Sequence, residues 1–364
     1  MERKNRISNG QLEALILTIA IGVGVLSLPN VLANILGNDG WIIIIVGGLV
    51  TLPFLYIMYK LNKMFPGEVY FEYGKKIVGT TLFDVFNILY IIFYIFMLAF
   101  EVRVFAEVIK AFLLDRTPTE VIIITMLLAS SYIARKDFGA LGRMAIILVI
   151  IVGVIMLIFG ILALPTMDYT NILPLFRIGF GDIKDILRGF GYIAFSYSGF
   201  EIILIAMAYI EKPEESLKYS IKGVLYTAVV YLITFFISLA QLGIYDTKRQ
   251  IWPMLSIMRE IELPGFFIEN LDALVMSAWV LVIFGTIGPD MYINGTILKS
   301  IFNSRRHDFL ILPLIPIIYI VSLIPQNLSQ VYSQIDIISK TLGTFTSFVC
   351  PTMLYIVARL RKGG

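Results

Sequence analysis

The chain has 364 residues, of which 58% are hydrophobic and 15% charged, with 29 Lys and Arg against 26 Asp and Glu for a net charge of +3. Soluble globular chains are about a quarter charged, so too little polar surface is present to coat a water-soluble body, and the mean hydropathy of +0.86 agrees. One Cys and one His exclude a disulfide framework and a Cys/His metal cluster, and no basic-aromatic cluster points to nucleic acid.

Ten apolar runs follow in chain order. The first, Ala14 to Asn38, is entered through Ser8 to Leu12, which reads as a capped helix start. It is too long for a signal-peptide core, and no small-residue cleavage site follows it. The second runs from Trp41 to Tyr59, and the third from Val85 through charged residues to about Phe112. The fourth, Val121 to Ala134, is short for a span of about 20 residues. The fifth is Met144 to Met167, with no charge in it. The sixth, from about Ile186 to Ile210, contains Glu201. The seventh is Gly223 to Tyr245, and the eighth is centred on Ala273 to Pro289 with room to extend to Ile301. The ninth, Phe309 to Ile324, is again short, and the tenth is about Thr341 to Ala358.

If all ten cross a membrane, both termini share one side. Nineteen Lys and Arg fall on that side and eight on the other, with Arg103 and Lys340 inside runs. Basic residues mark the cytoplasmic face, so both termini are expected there. His307, after Arg305 and Arg306, reads as a solvated loop residue. No catalytic triad, phosphate loop or metal motif appears, so neither enzyme nor cofactor is expected.

Two runs are interrupted. In the first, Gly22-Val23-Gly24-Val25-Leu26-Ser27-Leu28-Pro29 places two glycines and a proline in apolar sequence. Glycine weakens a helix and proline removes a donor. In the sixth, Phe195-Ser196-Tyr197-Ser198-Gly199-Phe200-Glu201 does so with small polar residues and a carboxylate. Irregular backbone survives at membrane depth only where it is buried or lines a cavity. The breaks lie about half a chain apart, the layout of an inverted-repeat transporter with broken helices 1 and 6. The expected architecture is a single all-α transmembrane domain of five plus five helices, 1–167 and 168–364. Glycines that only let helices pack closely are the alternative.

Free amide donors at the breaks suit a carboxylate, and free carbonyls suit an ammonium or a cation. The candidate ligand-binding residues are therefore Gly22, Gly24 and Val25 in the first break and Ser196, Tyr197, Ser198 and Gly199 in the second. Phe93 and Tyr94 in the third run could form a wall. Gly285 and Thr286 in the eighth could face the breaks, unless Thr286 bonds its own helix backbone. Glu201 is an intramembrane carboxylate and hence a functional candidate by default. It either couples helix position to ligand binding or clamps unwound backbone. Glu101, Arg103 and Glu107 read as an ion-pair or partner-contact patch, with Arg103 and Glu107 four residues apart on one helix face. Asp336 and Lys340 have the same spacing and read as an interfacial pair.

The first break resembles the first-helix motif of the amino acid–polyamine–organocation superfamily, and Phe195 to Glu201 with Ala208, Glu211 and Pro213 resembles its sixth-helix motif. Within it, the chain is similar to the spore germination permease family, the B subunits of germinant receptors. That resemblance rests on Phe100-Glu-Val-Arg103 with Ala106-Glu107, Phe112 to Pro118, Asn171-Ile-Leu-Pro174, Ile251-Trp-Pro253 and the Leu263 to Glu269 segment. It implies a ten-helix fold of the leucine-transporter type. It also implies a nutrient-sensing subunit in the inner spore membrane, acting with an A membrane subunit and a C lipoprotein subunit on a small nutrient, commonly an amino acid. An amino acid permease working by alternating access uses the same site and is the alternative. A structural scaffold without a ligand is a third reading. The fifth run lacks the lysine that proton-coupled superfamily members can carry there, which argues against proton coupling by that route.

Overall fold

Apolar runs with no water to serve their backbone must close their hydrogen bonds internally. The computed structural model describes residues 5–22, 24–177, 189, 192–193, 196–260 and 271–362, and among them the one extended pairing is an isolated bridge between Ile7 and Ile210. Val23, Phe195, the Leu263 to Glu269 stretch and the start of the sixth run lie outside the described residues.

The helices are α1 (Asn9–Ile21), α2 (Gly24–Leu36), α3 (Trp41–Lys63), α4 (Tyr70–Val78), α5 (Thr80–Phe112), α6 (Thr119–Ala134) and α7 (Phe138–Ala163). After them come α8 (Ile203–Ala206), α9 (Ser216–Arg249), α10 (Pro253–Glu260), α11 (Leu271–Ile301), α12 (Asp308–Ile311), α13 (Leu314–Leu323), α14 (Leu328–Ile338) and α15 (Cys350–Lys362). Among the described residues, six helical stretches are long and apolar enough to cross a membrane: Gly24–Lys63, Thr80–Phe112, Phe138–Thr166, Pro213–Arg249, Met276–Ile301 and Leu328–Arg361. Asn9–Ile21, Thr119–Ala134 and Asp308–Leu323 are shorter apolar helices.

Capping fixes the first helix start. Ser8 Oγ accepts from the Gln11 amide at 3.2 Å, and Gln11 Oε1 accepts from the Ser8 amide at 2.9 Å. Glycine fixes its end. α1 stops at Ile21 and α2 restarts at Gly24, whereas Pro29 sits inside α2. The first run is thus two helices of 13 residues, each too short to span about 30 Å alone at 1.5 Å per residue. The second break turns at Gly199, whose φ of +119° few other residues adopt.

The last run differs from expectation. Its helix starts at Leu328, not near Thr341, because the Asn327 side chain caps it by accepting from the Gln330 amide at 3.0 Å. Polar residues from Ser329 to Gln334 had hidden this start. The helix continues through two π-helical stretches, Ser339–Gly343 and Phe345–Val349, into α15. The eighth run forms α11, which runs unbroken through Pro289 to Ile301. His307 is half-buried rather than solvated. Its ring stacks edge-on against Tyr292 with centroids 4.5 Å apart, and its Nε2 lies 3.2 Å from the Ala134 carbonyl. Burial holds its pKa below the ordinary imidazole value.

α1 lies at the centre, packed against α7, α9 and α11. At the periphery α7 turns Ile147, Ile150, Val154, Leu157 and Ile161 outward, with Leu157 64% exposed. A charge-free stripe at helical spacing that no protein covers is a lipid-facing surface. α5 and α11 pack along each other, and both line the cavity at the two breaks.

Candidate functional site

The breaks meet. A Cβ placed on Gly199 would come within 2.7 Å of Ile19 Cγ2 and 3.1 Å of the Ala20 amide nitrogen, so the second turn abuts the end of α1. Tyr231, from α9, reaches both. Its hydroxyl lies 2.5 Å from the Ala20 carbonyl and 2.6 Å from the Ser196 carbonyl. One hydroxyl proton thus serves two carbonyls that unwinding has freed. Nearer the helix entry, the Ile7 amide donates to the Tyr209 carbonyl and the Glu211 amide to the Ile7 carbonyl, both at 3.0 Å, tying the two broken segments together again.

A cavity of about 70 Å³ opens where the breaks meet α5, α11 and α14. Several water-sized volumes fit in such a space. Gly22, Gly24, Ser196, Ser198 and Gly199 line it from the breaks, Phe93 and Tyr94 from α5, and Thr286 from α11. The glycines keep it open. A Cβ at Gly22 would sit 2.6 Å from Glu101 Oε1 and 3.2 Å from Thr286 Oγ1.

Three candidates lie outside the wall. Val25 is buried at 3% exposure without facing the cavity. Tyr197 turns to α3, where its hydroxyl donates to the Ile44 carbonyl at 2.9 Å. Gly285 packs against Thr18 and Leu148, because one residue along a helix rotates the side chain by about 100°. Thr286 Oγ1 lies 3.2 Å from its own helix carbonyl at Val282 and 3.4 Å from the Thr18 carbonyl, so it joins the helix backbone and the break.

The charged patch on α5 divides. Arg103 and Glu107 pair at 2.9 Å, and Arg103 also approaches the Ser322 carbonyl on α13. Glu101 instead turns to the cavity wall, two residues away and therefore on nearly the opposite helix face. Asp336 and Lys340 pair at 2.7 Å on the surface.

Glu201 is 4% exposed and accepts from three donors: the Gly199 amide at 2.6 Å, the Ser198 hydroxyl at 3.0 Å and the Ser347 hydroxyl. It clamps the turn and ties it to the π-helical stretch of the last helix. Such stretches recur at functional sites.

Sequence reading missed several wall residues: Asp290 and Ile293 on α11, Tyr192 and Ile202 beside the second break, Met97 on α5, and Tyr332 on α14. Tyr332 is held in place by the Trp252 indole N–H at 2.9 Å, and Tyr192 lies 3.3 Å from the Ser27 hydroxyl. Asp290 had a signal. It follows Thr286 by four residues, which places both on one helix face. Among the described residues of the wall there are two carboxylates, Glu101 and Asp290, and no Lys, Arg or His. No group of three His, Cys, Asp or Glu among the described residues is placed to hold a metal ion.

Broken helices meeting at a mid-bundle cavity define a multi-pass membrane protein of the leucine-transporter fold class. A solved structure described as MhsT in complex with L-phenylalanine aligns with a TM-score of 0.73 at 12% identity, covering 96% of this chain and 94% of that one. A second, described as Mhp1, a nucleobase-cation-symport-1 family transporter in a closed conformation with bromovinylhydantoin bound, aligns with a TM-score of 0.70 at 11% identity, covering 99% and 82%. The sequence pattern described as "Spore germination protein" matches residues 6–331, and the chain belongs to that family. Relatives include Spore germination protein YndE of Bacillus subtilis (strain 168), 28% identical over 99% of this chain and 98% of the relative. Spore germination protein A2 of the same organism is 27% identical over 94% and 92%.

Proposed function

We propose that the chain is the nutrient-sensing membrane subunit of a spore germinant receptor, binding a small nutrient, an amino acid, in the cavity between the two helix breaks. The observation that carries this reading is the cavity itself, walled by Gly22 and Gly24 from one break and Ser196, Ser198 and Gly199 from the other. Unwound backbone there offers amides to a carboxylate and carbonyls to an ammonium. The family's germination name supplies the process, and the phenylalanine in a neighbour of the same fold supports the ligand class. In this reading the halves 1–167 and 168–364 form the inverted repeat. The protein sits in the inner spore membrane with cytoplasmic termini and works with an A membrane subunit and a C lipoprotein subunit. Ligand binding shifts the breaks, and Glu201 carries the shift to the last helix through Ser347.

The test is a thermal-unfolding series on the purified full chain with individual amino acids, sugars and nucleosides. One amino acid is expected to raise the unfolding midpoint. A Gly22→Leu variant, whose side chain would occupy the space beside Glu101 and Thr286, is expected to lose that response, and spores carrying it to lose germination on that nutrient. A ligand response that survives Gly22→Leu places the site elsewhere. Robust uptake of labelled amino acid by the chain alone in proteoliposomes favours the permease reading.

A further inference from the structure

We propose that the cavity selects a ligand bearing a cationic amine, and that Asp290 is the carboxylate that holds its ammonium group. The inference rests on the reading that the cavity is a ligand site, and it adds the chemistry that the ligand must bring.

Two carboxylates near the breaks are buried to a similar degree, Glu201 at 4% exposure and Asp290 at 8%. Their surroundings differ. Glu201 is satisfied by three donors from the protein. Asp290 lines the cavity, and no hydrogen bond or ion pair from the described residues reaches its carboxylate. A carboxylate withdrawn from water and left uncompensated is among the costliest groups a protein can bury. Its neighbours deepen the deficit. Glu201 lies within electrostatic reach, and Glu101 stands in the same wall.

A carboxylate so placed is relieved either by taking up a proton or by a cation from outside the described residues, and the cavity gives a cation room to reach it. Oxygen-seeking metal ions want six or more ligands, whereas no group of three His, Cys, Asp or Glu among the described residues is placed to hold one. Thr286 lies one turn from Asp290 on the same helix face, Tyr94 is within electrostatic reach of it, and Phe93, Met97 and Ile293 add apolar surface to the same wall. Aromatic faces attract an ammonium, and the thioether and aliphatic groups suit the carbon chain attached to it. Charge and apolar surface together match an alkylammonium better than a bare alkali ion.

The experiment uses the purified full chain and n-butylammonium chloride as probe. Matched controls are n-butanol, sodium butyrate, sodium chloride and potassium chloride. Butylammonium is expected to raise the unfolding midpoint saturably, and the controls are not. Asp290→Asn is expected to weaken the butylammonium response at least tenfold while leaving the ligand-free midpoint unchanged or higher, since it removes an unpaired buried charge. Asp290→Glu is expected to retain part of the response. The proposal is overturned if butylammonium gives no shift, if butanol, butyrate or an alkali chloride matches it, or if Asp290→Asn responds like the unaltered chain. Should the Asn variant fail to fold, the comparison of butylammonium with butanol and the alkali salts on the unaltered chain still decides. The germinant reading fails by a different signature, no amino-acid response sensitive to Gly22→Leu, which the amine series does not measure.

Discussion

A single hydroxyl joins the two helix breaks. Tyr231 is fully buried, and its OH lies within 2.6 Å of carbonyls on both broken segments, Ala20 and Ser196. Neither carbonyl has its ordinary helical donor, because the helix stops or turns beside each. Tyr231→Phe keeps the ring, which packs edge-on against Tyr197 at 5.7 Å, and removes only the donor. A buried acceptor stripped of its partner costs about 1–3 kcal/mol. The variant is therefore expected to unfold earlier by that amount in a denaturant titration, and to do so more than Tyr197→Phe, whose hydroxyl serves one carbonyl. Equal stability of Tyr231→Phe and the unaltered chain would mean that the carbonyls find another donor. Asp290 shows the opposite condition at the same scale. There the acceptor is present and the donor is missing, which is why one residue reads as architecture and the other as recognition.

At the scale of elements, the same residue type has opposite uses on two helices. Gly74 on α4 faces α5 so closely that a Cβ would lie 2.1 Å from Phe83 Cζ, and Phe83 is fully buried. Gly153 on α7 meets nothing within 4 Å. Gly74→Ala is expected to destabilise by about 1–3 kcal/mol through overpacking. Gly153→Ala is expected to be neutral or to stabilise by up to about 1 kcal/mol through helix propensity. Denaturant midpoints of the two variants compared side by side check this; equal effects would contradict the close approach of α4 to α5. The elements also set what could be read from sequence. The first break was legible because two glycines interrupt an apolar run, and the helices do part at Gly22 to Gly24. The start of the last helix was not, because Asn327 caps a polar turn that hydropathy scores as loop. Asp290 was overlooked for a related reason. A carboxylate at the edge of a charge-free run looks like the end of a span, yet α11 continues for eleven residues beyond it to Ile301. The division of Glu101 from Arg103 and Glu107 needed the helix rotation between them, which a cluster of letters conceals.

The molecule as a whole must satisfy a sidedness that no single helix dictates. Short apolar helices such as α1, α6 and α13 are not long enough to cross alone, so whether they count as crossings depends on assembly rather than on each run alone. On a ten-crossing layout the basic residues divide nineteen to eight, a bias that an odd number of crossings would break. With ten, the connection around Glu214 is cytoplasmic and the turn at Gln326 faces the opposite side. Both side chains are exposed, and the sole cysteine, Cys350, is fully buried, so the unaltered chain gives a silent background to thiol reagents. Glu214→Cys and Gln326→Cys therefore report on sidedness one residue at a time. In intact cells expressing the chain, a membrane-impermeant maleimide is expected to label Gln326→Cys at once and Glu214→Cys only after permeabilisation. Labelling of both in intact cells would break the ten-crossing arrangement, because an even number of spans would then separate two positions that the charge count assigns to opposite faces. Labelling of Glu214→Cys alone would keep the even count and invert the whole protein, placing its basic loops against the rule that usually orients them.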